Sequence, residues 1–197
     1  MKHQPALHLC DFDGTLTRGD SLLRFLWFAV PKDRLIAGIL VLPFQFLLLF
    51  FTGKWSNEAG KKAVLAFFFQ GNTREGMEQS GDAFCAWVLP AQLRTDLLAK
   101  LRGAQQEGDK VVVVSASVDI WLRPFCEAEG FDYLCTELDF KDGIFSGQLA
   151  TPNCNGAEKA RRIREAYDLT KFARIVAYGN SSGDEAMFAL AGEVLRF

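Results

Sequence analysis

Apolar positions along this chain repeat in two different ways. From position 21 to about 100, Leu, Phe and Trp recur at helical spacings, while on both sides short β-branched runs alternate with amphipathic ones. The flanks predict strands over 6–10, 110–114 and near Tyr133, a helix over 118–129 closed by Gly130, and a hairpin over 138–149 turning at Asp142-Gly143. A helix over 156–167, a strand over 174–178, a helix ending before Gly192 and a strand over 194–197 complete the pattern. Strands separated by helices predict an α/β fold with a doubly wound parallel sheet, which binds ligands at the carboxyl ends of its strands. The helical stretch reads as an insertion. The expected division is a core of 1–17 and 101–197, with an all-helical unit of 18–100 between its two parts.

Length fits that picture, because 197 residues suit one compact domain or a core with a single inserted subdomain. A net charge of −2 with no block of Lys or Arg offers no electrostatic footprint for nucleic acid. The five cysteines (Cys10, Cys85, Cys126, Cys135, Cys154) show no Cys-x-x-Cys spacing. Both histidines, His3 and His8, precede the first polar motif, so no zinc-type ligand cluster is legible. This cysteine usage, with an N-terminus that lacks a long apolar signal segment, predicts a cytoplasmic setting.

Four polar motifs follow apolar runs. The first, Asp11-Phe12-Asp13-Gly14-Thr15, sets two carboxylates one residue apart at the end of a predicted strand. Alternate strand residues face opposite ways only while the chain stays extended, so both acids can share one site if the chain curls there, as Gly14 permits. The second, Val114-Ser115-Ala116-Ser117, delivers a hydroxyl at a strand end; Ser115 suits a phosphoryl oxygen and Ser117 the N-cap of the next helix. In the third, Asn155-Gly156-Ala157-Glu158-Lys159, a lysine in the first helical turn opposes the helix dipole, as expected of a side chain serving an anion. The fourth, Gly179-Asn180-Ser181-Ser182-Gly183-Asp184, offers two candidate metal ligands four residues apart. Singly, these motifs also read as a polar turn, a helix cap, a surface lysine and an Asx-turn.

In this order the motifs resemble the signature of the haloacid dehalogenase superfamily, and within it the subfamily IB branch that includes phosphoserine phosphatase. The resemblance implies a Rossmann-like core with an inserted all-helical C1-type cap, and a Mg²⁺-dependent phosphomonoester hydrolase. It makes Asp11 the nucleophile that becomes an aspartyl phosphate. Asp13 then protonates the leaving alcohol and later activates water. Ser115 and Lys159 hold the phosphoryl oxygens, with Ala116 beside them in contact with substrate. Magnesium is implied at Asp11, the Asp13 carbonyl, Asn180 and Asp184, since hard oxygen ligands suit it. Dehalogenases lack the second acid, so Asp13 favours phosphate chemistry. Asn180 departs from the family pattern, which usually places an acid there; a weakly catalytic phosphate-binding module is therefore an alternative. Asp20 stands where phosphoserine phosphatase relatives meet the substrate's amino group, but Asp20 or Ser21 reads more simply as the N-cap of the first inserted helix.

The insertion contains a nearly unbroken apolar run over 35–51, bounded by Arg34 and Lys54. A single membrane span there would separate Asp11 from Ser115, Lys159 and Asp184, so a simple transmembrane helix is excluded. Pro43 and Gln45 permit a kinked helix, a hairpin or an interfacial segment, with Trp27 and Trp55 at headgroup depth. The run also resembles the apolar cap of phosphatidylglycerophosphate phosphatases of this branch. A lipid-phosphate phosphatase on the inner membrane face is thus a second reading, with a phospholipid headgroup in place of a small phosphorylated substrate. Burial within the cap or in a homodimer contact would account for the same run.

Overall fold

The computed structural model describes residues 4–197; His3 and its two predecessors lie outside the described residues. Strands β1 (Leu7–Cys10), β2 (Lys110–Val118), β3 (Asp132–Thr136), β6 (Ile175–Gly179) and β7 (Glu193–Arg196) form one parallel sheet in the order β3-β2-β1-β6-β7. Strands β4 (Leu138–Lys141) and β5 (Ile144–Leu149) form a separate antiparallel hairpin. Its turn residues Asp142 and Gly143 both have positive φ, 50° and 78°, the conformation an Asp-Gly hairpin requires.

β1 occupies the centre because every residue in it is buried, as a strand covered on both faces demands. Leu7 and Leu9 join Val112, Val114 and Ala177 in one apolar layer; Cys10 joins Val111, Val113 and Tyr178 in the other. His8 is occupied in the core, with Nδ1 at 2.9 Å from the Tyr178 hydroxyl and Nε2 at 3.1 Å from Asp109 Oδ2. Helix α6 (Asp119–Glu129) packs in the second layer and ends at Gly130 with φ 71°, the left-handed C-cap expected of that glycine. Helices α7 (Ala157–Ala166) and α8 (Glu185–Phe188) cover the first layer through Ile163, Met187 and Phe188.

Four helices separate β1 from the remainder of the core: α1 (Ser21–Ala29), α2 (Lys32–Phe51), α3 (Asn57–Phe69) and α4 (Arg74–Trp87). Asp20, Ser56 and Thr73 cap α1, α3 and α4 by accepting from Leu23, Ala59 and Gly76 N–H. The fifth, α5 (Thr95–Gln106), buries Leu97, Leu98 and Leu101 and leads into β2. A division at 100/101 falls inside α5. Thr17, bridged to Leu93, marks where the helical insert leaves and rejoins the core. The apolar run forms one helix through Pro43, neither broken nor folded back. Only Leu35, Gly38 and Leu42 of α2 are buried, and Gly38 is needed because a Cβ there would stand 2.2 Å from the Phe68 ring. The hairpin docks on this insert through Phe145 N–H to Asn72 O at 2.8 Å.

Candidate active site

Parallel pairing aligns Cys10 with Val113 on one side and Tyr178 on the other, so Asp11, the end of β2 and the loop after β6 emerge together. Asp11 donates its N–H to Tyr178 O at 2.9 Å and is the last residue held by the sheet. The chain then curls: Gly14 has φ 76°, and Thr17 N–H closes the turn on Phe12 O at 2.9 Å. This curl brings Asp11 and Asp13 to one cavity of about 180 Å³, which Asp20, Ser115, Ala116 and Lys159 also line.

Lys159 is 1% exposed although it is a lysine in the first turn of α7. Its Nζ donates to Asp11 Oδ1 and Asp184 Oδ1, both at 2.6 Å. Burial works against the ammonium, but the two carboxylates outweigh it and hold its pKa above the ordinary lysine value. Burial likewise pushes Asp11 up, while Lys159 pulls it back toward the carboxylate form that a nucleophile needs. The second Asp11 oxygen accepts from buried Thr15 Oγ1 at 3.1 Å.

Asp13 is held from two directions. Ser21 N–H, at the start of α1, donates to Oδ1 at 2.7 Å, and Ser117 Oγ donates to Oδ2. Burial lifts this carboxyl to about 6, with the two serine hydrogen bonds limiting the rise. Ser117 therefore does not cap α6 as expected; Val118 stands at that N-cap and offers no side-chain bond. Trp121 Nε1 donates to Ser21 Oγ at 2.9 Å, which lies 2.8 Å from Ser117 Oγ, extending the network behind the acid. Ser115 Oγ accepts from Ser117 N–H at 3.0 Å.

The fourth motif divides its two residues between two tasks. Asp184, expected as a metal ligand, is 1% exposed and already engaged: Oδ1 takes Lys159, and Oδ2 accepts Asn180 N–H, Ser181 N–H and Ser181 Oγ at 3.0–3.1 Å. It braces Lys159 and shapes the loop, and its pKa is held down by Lys159 and Ser181 against the effect of burial. Asn180 is exposed and lies over the first motif, since a Cβ on Gly14 would stand 2.1 Å from Asn180 Nδ2. Among the described residues no three His, Cys, Asp or Glu side chains converge as a metal cluster. The donors that the resemblance implies there, besides the engaged Asp184, are the Asp11 carboxylate, the Asp13 main-chain carbonyl and the Asn180 amide oxygen, all of them oxygens. They fit a hard cation that keeps several waters, and not a thiolate- or imidazole-seeking one.

Sequence reasoning missed Lys61. It reaches from α3 to the cavity, where its Nζ donates to Ala116 O at 2.6 Å and Asn153 Oδ1 at 2.8 Å. Burial lowers its pKa. No local spacing marks it. Ser117 did carry a signal, because residues 115 and 117 of one strand face the same side.

Residues 9–189 match the family model described as haloacid dehalogenase-like hydrolase. Protein CicA of Caulobacter vibrioides (strain NA1000 / CB15N) is 37% identical over 198 residues, covering 98% of this chain and 86% of that protein. A protein of unknown function from Bordetella pertussis Tohama I superposes with TM-score 0.77 at 20% identity, over 98% of this chain and 89% of that one. A substrate-bound phosphoserine phosphatase superposes with TM-score 0.69 at 19% identity, over 100% and 87% of the two chains. The shared fold, with its first acid at the end of the central strand, agrees with the match along the sequence: this chain belongs to the haloacid dehalogenase-like hydrolases, and its architecture is that of phosphoserine phosphatase.

Proposed function

We propose that the protein hydrolyses phosphomonoesters with Mg²⁺, through an aspartyl phosphate on Asp11. The observation that carries this reading is the pairing of Asp11 with buried Lys159 at 2.6 Å, two residues from a second, half-buried acid in the same cavity. A carboxylate oxygen of Asp11 attacks phosphorus as the P–O bond to the alcohol breaks, and Asp13 gives the departing oxygen its proton. In the second half Asp13 takes a proton from water, whose oxygen attacks phosphorus and releases phosphate and free Asp11. Lys159 and Ser115 bind the transferring oxygens, positioned before charge develops. Magnesium, when bound by Asp11, the Asp13 carbonyl and Asn180, supplies neutralising charge at the phosphoryl group.

Hydrolysis of a generic aryl phosphate, dependent on added Mg²⁺ and abolished by Asp11→Asn with the fold retained, tests the reading. Phosphate binding without turnover would instead mark a binding module disabled at Asn180. A lipid phosphate is the second substrate reading. It is favoured by α3, which carries Lys61 into the cavity and Val64, about one turn on, into a wholly different, apolar groove. Rates on phosphoserine, sugar phosphates, nucleotides and phosphatidylglycerophosphate separate the two readings. The proposed setting is cytoplasmic.

A further inference from the structure

Helix α2 is apolar on every side, with a mean hydropathy of 2.2, yet only the stripe Leu35, Gly38 and Leu42 is covered by the protein. Phe44, Leu48 and Phe51 are 73%, 64% and 76% exposed, and Ile36, Ile39 and Leu40 beside them are 60–66% exposed. A helix apolar all round is normally buried all round. Beside α2, helices α1 and α3 enclose an apolar groove of about 350 Å³ lined by Leu26, Trp27, Leu42, Phe46, Val64 and Phe68. Trp27 and Trp55 flank this surface at 69% and 47% exposure.

Charge identifies what covers it. Residues 21–68, which carry the whole surface, hold five basic side chains besides the cavity-facing Lys61 (Arg24, Lys32, Arg34, Lys54, Lys62) against two acidic ones, Asp33 and Glu58. The rest of the chain holds sixteen basic against twenty-two acidic. Local charge is thus reversed relative to the whole molecule around this apolar face. A second copy would set this patch against itself in a symmetric contact, basic against basic. An anionic lipid surface complements both the charge and the apolar face.

We propose that α2 and its groove dock this protein on an anionic bilayer, with α2 lying in the membrane plane. The helix cannot cross, because both its ends are tied to one body: α1 before it supplies Ser21 N–H to Asp13, and α3 after it supplies Lys61 to Ala116 O. At 20 residues it spans about 30 Å along the interface. Phe44, Leu48 and Phe51 enter the acyl region, the groove receives an acyl chain, and Lys32 and Lys54 meet headgroups at the two ends. Docking does not depend on turnover at Asp11.

Co-sedimentation with vesicles of phosphatidylcholine and phosphatidylglycerol at 3:1, against phosphatidylcholine alone, tests the proposal. The protein is expected to pellet with the anionic vesicles and to be released by salt. Phe44→Ser/Leu48→Ser/Phe51→Ser should abolish pelleting. Lys32→Gln/Lys54→Gln should weaken it about 5-fold per residue, roughly 30-fold together. Thermal melts of both variants matching the parent show that the fold is kept. Protein that stays in the supernatant with every vesicle overturns the proposal, as does pelleting indifferent to lipid charge and salt. A dimer by light scattering that the triple serine variant converts to monomer, with no vesicle binding, assigns the face to a second copy and equally overturns it.

Discussion

Replacing Lys159 with Met removes one cation from between two buried carboxylates. Asp11 and Asp184 are each 2.6 Å from its Nζ, with side-chain exposures of 9% and 1%. Breaking a buried pair by removing one partner typically costs about 3–5 kcal/mol, because the charge left behind stays desolvated. Here the variant can relieve that cost by taking up a proton on one of the two acids. That acid's folded-state pKa then lies above its unfolded value, so the stability it contributes is full at low pH and is lost as pH rises through the folded value. One proton changes the difference by about 1.4 kcal/mol per pH unit. A loss of about 4 kcal/mol at pH 8 should therefore shrink to roughly 1 kcal/mol at pH 6. For a chain of this length 1 kcal/mol moves Tm by about 2–4 °C, giving losses of roughly 12 °C and 4 °C. Differential scanning fluorimetry in EDTA across that range reads the effect, and Lys159→Met/Asp184→Asn should recover much of the loss at pH 8. Equal Tm losses at pH 6 and pH 8, or no recovery in the double variant, would refute the account of Lys159 as the neutraliser of both acids.

Asp119, lifted by burial to about 6 although it accepts Leu138 N–H, should make the parent less stable as pH rises from 4 to 8 by up to about 3 kcal/mol, and Asp119→Asn should flatten that slope. Parallel melting curves for the two proteins would show that its ionised form is not penalised. Asn180→Asp adds negative charge over the Asp13–Gly14 turn and should lower the Mg²⁺ concentration for half-maximal activity without raising turnover. Unchanged Mg²⁺ dependence would leave Asn180 as a packing partner of Gly14. Lys61→Met should raise KM roughly tenfold with a smaller change in kcat, the scale of one charged hydrogen bond to substrate. A KM equal to the parent's would confine Lys61 to tying α3 to Ala116 O.

The sheet was readable because buried parallel strands announce themselves as β-branched runs, as at Val111–Val114, and because Gly130 and Asp142-Gly143 take the left-handed conformations their turns require. The first three motifs likewise come together because each sits at a strand end or helix start, positions that sequence patterns locate well. What escaped depends on contacts between distant segments. Lys61 looks like any helix lysine until α3 is laid over β2, and nothing in the fourth motif shows that Asp184 meets Lys159 until the fold brings the two together. The division at 100/101 failed to respect α5 because its amphipathic spacing continues that of the insert, while its buried face belongs to β2.

Placing the first strand at the centre of the sheet dictates when the enzyme can be assembled. β1 has no neighbour in its own vicinity: Leu7 pairs with Lys110 on one side and Ile175 on the other. On the ribosome, β1 must wait for about 100 further residues before its first partner exists and nearly 170 before its second. The entropic cost of closing those two loops differs by only about 0.4 kcal/mol, so chain availability, not loop length, orders the events. All of α2 is made during the wait, together with α1 and α3, on which it packs. Nascent chains shorter than β6 therefore leave one edge of the central strand unpaired, which makes the half-made protein prone to aggregation before it can be a hydrolase.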